Sequence, residues 1–265
     1  MKPYYEQDGI RIFLGDCREV LPTLTEQFDA CITDPPYGET ACAWDKRATG
    51  WLQHVNAPCL WCFGSMRFFL ENVSEFAGWK FAQEVVWEKQ NGSGFTTDRF
   101  NRVHEIIVQW YRGRWSALQT NVPRTPVIGW KPSHRTQGRG ATPHRGGIET
   151  KPWQDNGYRM ARSVMKVTNE HFRAAHPTQK PIAIVSPLIE YSTASSGSII
   201  DPFLGSGTTL VAAKESGRRA VGIEAEEKYC EVAAERLLRV AFSPESKVAE
   251  PQPAQSQLFM EAVNG

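Results

Sequence analysis

Residues 198–240, SIIDPFLGSGTTLVAAKESGRRAVGIEAEEKYCEVAAERLLRV, constrain the fold most, because two short apolar runs alternate there with two helical patterns across turn signals. "SIIDPF" reads as a strand, "LGSG" as a turn, "TTLVAAKESG" as a helix, "RAVGIEA" as a second strand and "EKYCEVAAERLLRV" as a second helix. Strands that recur with helices between them run parallel, and their apolar runs must be covered on both faces. The N-terminal segment repeats the scheme with strand "IRIFLGD", a short helix around "CREVLPTL" and strand "FDACITD". "CLWCFGS" and "KFAQEVVWEK" predict strands flanking a helix at "MRFFLENVSEF", and "HEIIVQWYR" predicts one more. A further helix precedes residue 198, with Pro181 suited to its first turn and Gly197 to its end. The predicted class is α/β, a doubly wound, mostly parallel sheet, and 265 residues with 41% hydrophobic content can bury its core.

Regular periodicity fades from about residue 113 to 175, where Gly, Pro, Arg and Thr dominate, which predicts an inserted loop-rich lobe. The formal net charge is only +1, yet residues 112–173 hold twelve Lys or Arg against three acids. Trp115, Trp130, Trp153 and Tyr158 are interleaved with those cations. Cations mixed with aromatic plates suit a polyanion that carries stackable bases, so nucleic acid is the leading partner. The expected division is 1–111 and 176–242 as two halves of the sheet domain, 112–175 as the basic lobe and 243–265 as a polar, proline-bearing disordered tail.

No run approaches the roughly 18 apolar residues of a membrane span, and the N-terminus lacks a signal peptide's basic-then-apolar build. A soluble chain working in the cytoplasm, without a membrane partner, is expected. Cys59 and Cys62 form a CxxC without a second ligand pair, and their setting "PCLWCFGS" reads as a buried strand, so no metal is expected.

In "DPFLGSGTT" a strand enters a glycine turn and then a helix, the place where doubly wound sheets hold nucleotide-like ligands. Gly205 and Gly207 permit the turn, but Leu210 stands where a dinucleotide fingerprint wants a third glycine, and no Lys-Ser/Thr pair completes a P-loop. Asp16, Asp201 and Glu224 each end a predicted strand, so all three would face one ligand edge. Several acids there suit a ligand that carries positive charge; S-adenosylmethionine, with ribose, adenine, ammonium and sulfonium, fits.

The second motif is "DACITDPPYG", a strand that stops at Asp34-Pro35-Pro36-Tyr37. Such an end supplies a carboxylate, a rigid turn with outward carbonyls and an aromatic plate. The lone pair of a nucleobase amine is delocalised into its ring. Asp34 and the Pro35 carbonyl, each accepting one amine hydrogen, would turn that lone pair towards a methyl donor while Tyr37 stacks on the base. A duplex hides the amine, so the base has to be flipped out at a cost of about a few kcal/mol.

Together with "LGDCREVLPTL", "HPTQKP" and "GIEAEEKYCEVAAERL", these stretches resemble the amino-group DNA methyltransferases of the beta arrangement, in which DPPY precedes the donor segment. The resemblance covers roughly residues 10 to 240 and implies a circularly permuted, Rossmann-like methyltransferase sheet. By it, Asp34, Pro35, Pro36 and Tyr37 serve the flipped base, and Asp201, Phe203, Gly205, Gly207 and Thr208 line the donor's methionine end. Glu224 takes the ribose and Asp16 the adenine, while His176, Thr178 and Lys180 lie near the donor, with Lys180 on its carboxylate. Family members act on adenine or cytosine. The initial Asp is more often found with adenine, whereas Asn would suit RNA or a protein glutamine amide. A DNA-binding protein with a vestigial pocket is the reading from another class, and intact Asp34 and Tyr37 argue against it.

Three further expectations concern partners. Arg135, Arg139 and Arg145 are candidate contacts to phosphates or bases of duplex DNA, and Trp44, in the loop after Tyr37, is a second stacking candidate. Gln255, Leu258 and Phe259 of "QSQLF" look like the pentapeptide by which bacterial replication proteins dock on the sliding clamp. A restriction-modification setting, with the chain drawn to the nucleoid by its DNA, is the role the resemblance implies.

Overall fold

A computed structural model describes residues 1–40, 42, 45–93, 97–127, 129, 131, 134–135, 153–168 and 179–242. The strands of the N-terminal part are β1 (Tyr5–Gln7), β2 (Ile10–Leu14), β3 (Ala30–Thr33), β4 (Cys59–Gly64), β5 (Lys80–Ser93) and β6 (Arg102–Tyr111). Helices α1 (Cys17–Val20) and α2 (Met66–Glu71) lie between them. Four short strands follow, β7 (Arg124–Pro126), β8 (His134–Arg135), β9 (Trp153–Gln154) and β10 (Tyr158–Met160), and then β11 (Val164–Lys166). The C-terminal part is α3 (Ile182–Ser192), β12 (Ser198–Asp201), α4 (Thr208–Glu215), β13 (Arg219–Glu224) and α5 (Glu227–Leu238).

One nine-stranded sheet has the order β1-β2-β13-β12-β3-β4-β6-β5-β11. From β2 to β4 every pairing is parallel, and β6 then pairs antiparallel with both β4 and β5. The central strands β3, β4 and β12 are buried at every residue, which is why they read as continuous apolar runs. Period-two alternation sends their side chains to two separate cores. Ile10, Ile12, Ile32 and Trp61 meet α3, α4 and α5 on one face, whereas Phe13, Cys31, Leu60 and Cys62 meet α1 and α2 on the other. Each fully buried large aliphatic side chain contributes about 1.5–3 kcal/mol. The same alternation puts Cys59 and Cys62 on opposite faces of β4, so the CxxC cannot converge on one ion.

Strand direction decides what reaches the ligand edge. Parallel β2, β13, β12 and β3 all bring their carboxyl ends to one side. Because β6 is antiparallel to β4, its amino end comes to that side, together with the carboxyl end of β5, and Trp87 of β5 pairs there with Glu105 of β6.

Three expectations are corrected. The α3 helix starts one residue after Pro181, which is its N-cap, and ends at Ser192 rather than near Gly197. Thr193 takes extended backbone there, and its hydroxyl donates to the Ile189 carbonyl at 2.7 Å, closing the helix. The inserted lobe is also shorter than 112–175: described residues of 1–121 and 162–242 form one unit, and those of 122–161 a second. Residues 162–168 belong with the sheet because β11 pairs in parallel with β5 and the Trp87 indole donates to the Val167 carbonyl at 2.8 Å. Finally, the second unit carries short ladders, β7 with β10 and β8 with β9, where no strand pattern is visible in the sequence. Its turn at 155–158 is held by Asp155, which is buried and accepts both terminal nitrogens of Arg159.

Candidate active site

Neighbouring parallel strands bring the two motifs together. Ile199 and Ile200 of β12 register against Ala30 and Cys31 of β3, so Thr33 and Asp201 end side by side. The Thr33 hydroxyl donates to Asp201 Oδ1 at 2.7 Å. Beyond these ends opens a cavity of about 750 Å³ lined by Asp34, Pro35, Pro36 and Tyr37 on one side and by Asp201, Phe203, Gly205, Ser206 and Thr208 on the other. Asp16, Glu224 and Lys180 also line it.

The glycine-turn half is braced by its own acids. Asp201 accepts the Phe203 backbone N–H at 3.1 Å, and burial pushes its carboxyl up to about 6 against the hydrogen bonds from Thr209, Thr33 and Phe203. Glu224 accepts the Gly205 N–H at 2.8 Å on one oxygen and the Glu226 N–H at 2.9 Å on the other, with its carboxyl raised chiefly by burial. Each carboxylate oxygen has two lone pairs, so both retain an acceptor site for a hydroxyl in the cavity. Asp16 caps α1 by accepting the Arg18 N–H at 2.8 Å, and the Arg18 guanidinium beside it holds its carboxyl below the usual range. The Phe203 ring meets Trp51 edge-on, with centroids 5.0 Å apart.

Gly207 lies in the same turn, between Ser206 and Thr208, but is not itself among the residues that line the cavity. It is the left-handed N-cap of α4 at φ 84°, and a Cβ built on it would lie 2.7 Å from the Cβ of Ala233 in α5. Its glycine lets α4 and α5 pack closely.

The Asp34 half is a charged network. The Tyr37 hydroxyl donates to Asp34 Oδ1, and the Lys180 ammonium donates to Asp34 Oδ2 at 2.5 Å. Lys180 Nζ also lies 3.3 Å from Glu105 Oε2, and Glu105 is ion-paired with Lys89. Lys180 therefore faces the DPPY carboxylate rather than standing free for a donor carboxylate, because the turn into α3 delivers it to the β3 and β6 ends. Burial pushes Glu105 up, but Lys180 and Lys89 outweigh it and hold the carboxyl down at about 2. Burial likewise opposes charge on Lys180, and Asp34 and Glu105 outweigh it, so the ammonium is held above the ordinary lysine value. Tyr37 is raised well above 10, first by burial and then by Asp34 and Glu105. Its ring packs on Phe68 at 5.2 Å, and Phe63, Trp87 and Lys89 complete this side of the cavity.

Glu105, Lys89 and Asp45 carry no recognisable sequence signal. Asp45 is buried at 7% exposure and accepts backbone N–H groups from Gly38, Glu39 and Thr40 at 2.8, 3.0 and 2.7 Å, fixing the chain that leaves Tyr37. Finding Glu105 and Lys89 requires the antiparallel direction of β6, which no local pattern announces. Trp44, Arg139, Arg145, His176, Thr178 and the tail with Gln255, Leu258 and Phe259 lie outside the described residues, and Arg135 is described only through its backbone in β8.

A doubly wound sheet whose carboxyl edge joins an acid-braced glycine turn to an Asp-Pro-Pro-Tyr strand end in one cavity defines the amino-methyltransferase class. The chain belongs to the DNA methylase family, whose N6/N4 methyltransferase profile matches residues 28–235. It is 30% identical over 264 residues to the type II methyltransferase M.ScaI of Streptomyces caespitosus, covering 89% of this chain and 84% of that one. Against the type II methyltransferase M2.LlaDCHI of Lactococcus lactis subsp. cremoris it is 26% identical, covering 89% and 92%. Among solved structures it shares the fold of the M1.HpyAVI–SAM complex at TM-score 0.59 and 23% identity, covering 86% of this chain and all of that one. It shares that of the cytosine-N4-specific PvuII DNA methyltransferase at TM-score 0.61 and 14% identity, covering 92% and 91%. Among the described residues no helix is long and apolar enough to cross a membrane.

Proposed function

We propose that this chain transfers a methyl group from S-adenosylmethionine to the exocyclic amine of an adenine flipped out of duplex DNA, as the modifying half of a restriction-modification pair. The observation that carries the reading is the single cavity shared by residues 34–37 and the 201–208 turn, joined at the strand ends by the Thr33–Asp201 hydrogen bond. The donor fits the residues present. Asp16, Asp201 and Glu224 surround its half of the cavity, and Glu224 keeps acceptor sites suited to ribose hydroxyls. When bound, S-adenosylmethionine supplies an electrophilic methyl group.

The chain's own residues do the rest by positioning. Asp34 and the Pro35 carbonyl accept the two amine hydrogens and so turn the nitrogen lone pair towards the donor side of the cavity. Tyr37, Phe63 and Trp87 offer aromatic surface to the extruded base. Adenine rests on the Asp at the head of the tetrapeptide. The basic residues of the second unit, together with Arg135, Arg139 and Arg145, supply phosphate and groove contacts that position the duplex. The tail extends the reading: Gln255, Leu258 and Phe259 dock on the bacterial sliding clamp and keep the enzyme at the nucleoid. Removing residues 255–259 should abolish retention by immobilised clamp, and undiminished retention removes the idea.

Purified chain incubated with labelled donor and either duplex DNA or RNA tests the main reading, followed by base analysis of the product. N6-methyladenine in DNA, lost on Asp34→Ala, is expected. Label in RNA alone, N4-methylcytosine as the product, or full activity in Asp34→Ala would overturn it.

A further inference from the structure

We propose that Lys180, held between Asp34 and Glu105, is a positioning residue that fixes the orientation of Asp34, and is not a ligand of the methyl donor. The inference rests on the amine-transfer reading above and deepens it.

Geometry makes the case. Lys180 Nζ donates to Asp34 Oδ2 at 2.5 Å and is ion-paired with Glu105 Oε2 at 3.3 Å, so its charge is shared between two carboxylates. Its side chain is 10% exposed and that of Glu105 is 15% exposed, which keeps these contacts in a low-dielectric setting. Nζ also lies 5.4 Å from the Phe63 ring centre and 6.0 Å from that of Tyr37, so aromatic faces enclose the ammonium. The backbone beneath it is anchored, because α3 begins two residues later and buries Ile184 and Val185 in the core.

Both oxygens of Asp34 are thereby fixed, one by the Tyr37 hydroxyl and one by Lys180. Each oxygen keeps a lone pair, so Asp34 can still accept a hydrogen from a substrate amine in one defined orientation. Lys180 and Lys89 balance Asp34 and Glu105 in charge. Without Lys180, Asp34 Oδ2 loses its 2.5 Å partner, and the Tyr37 hydroxyl on Oδ1 is left to orient the carboxylate. Glu105 acts one step further back, steering the ammonium onto Asp34.

The test compares the full chain with Lys180→Met, Lys180→Arg, Glu105→Gln and the Lys180→Met/Glu105→Gln pair. Donor affinity is read by calorimetry, and single-turnover methyl transfer to duplex DNA is read at saturating donor. Expected are donor affinities within about twofold of the parent, with Lys180→Met slowing transfer on the order of 100-fold. Lys180→Arg should restore part of the rate. The double variant removes the cation without stranding Glu105, so it should fold and still transfer slowly. Weakened donor binding in Lys180→Met, with the rate recovered at saturating donor, would overturn this inference alone. A folded double variant that transfers at the parent's rate would do the same. A parent chain that binds donor yet methylates no nucleic acid would instead sink the underlying reading, and this inference with it.

Discussion

Gly207→Ala and Gly205→Ala, two residues apart in one turn, should fail in different ways. Both positions have positive φ, 84° at Gly207 and 53° at Gly205, so alanine at either pays the left-handed penalty of about 1–2 kcal/mol. Their surroundings differ. A Cβ on Gly207 would stand 2.7 Å from the Cβ and 3.1 Å from the Cα of Ala233, a fully buried residue of α5, whereas a Cβ on Gly205 meets nothing within 4 Å. Forcing α4 and α5 apart adds about 1–3 kcal/mol of overpacking at Gly207. The totals are about 2–5 kcal/mol for Gly207→Ala and about 1–2 kcal/mol for Gly205→Ala. Ordinary domain stabilities of about 5–15 kcal/mol leave both variants folded. Urea unfolding followed by circular dichroism reads the difference. Calorimetry with S-adenosylmethionine should rank the pair in reverse, because Gly205 lines the cavity and Gly207 does not. Equal urea midpoints, or a greater loss of donor affinity in Gly207→Ala than in Gly205→Ala, would refute the packing role of Gly207.

Other perturbations test the remaining buried polar groups. Ser192→Ala removes the oxygen that the buried Trp61 indole N–H meets at 2.7 Å, and should cost about 1–3 kcal/mol by urea unfolding. Asp201 has a folded carboxyl raised from 3.8 to about 6, so the native state binds its proton more tightly than the unfolded chain and loses stability as pH rises through that window. Asp201→Asn, which keeps an acceptor for Thr33 and the Phe203 N–H, should therefore stabilise the fold at pH 7 by on the order of 2–3 kcal/mol while slowing methyl transfer. No gain at pH 7 relative to pH 4 would contradict that account. Glu105 has the opposite sign: its carboxyl is lowered from 4.5 to about 2, so its contribution is present above 4.5 and lost as pH falls towards 2. Glu105→Gln should accordingly destabilise the protein at pH 7, with a penalty that shrinks at pH 3 in the same unfolding assay.

Much of the architecture was written in contiguous residues. The apolar runs of β3, β4 and β12 and the glycine turn before α4 are local patterns, and each marks its element because backbone hydrogen bonding and side-chain period operate over a few neighbours. The Asp-Pro-Pro-Tyr end and the acids at the close of β12 and β13 were legible for the same reason. The short ladder strands β7 to β11 were not, because runs of two or three residues owe their pairing to a partner elsewhere in the chain.

The sequence by itself thus determined the alternating α/β plan, the family, and the two motifs that meet at the cavity. Tertiary structure alone decided that Lys180 faces Asp34, 146 residues away, that Glu105 and Lys89 stand behind it, and that Gly207 packs against α5. Those contacts follow from strand order and from the reversed direction of β6. A residue's local period says which face it occupies, while its partner there is chosen by whichever distant strand or helix the whole sheet places opposite it.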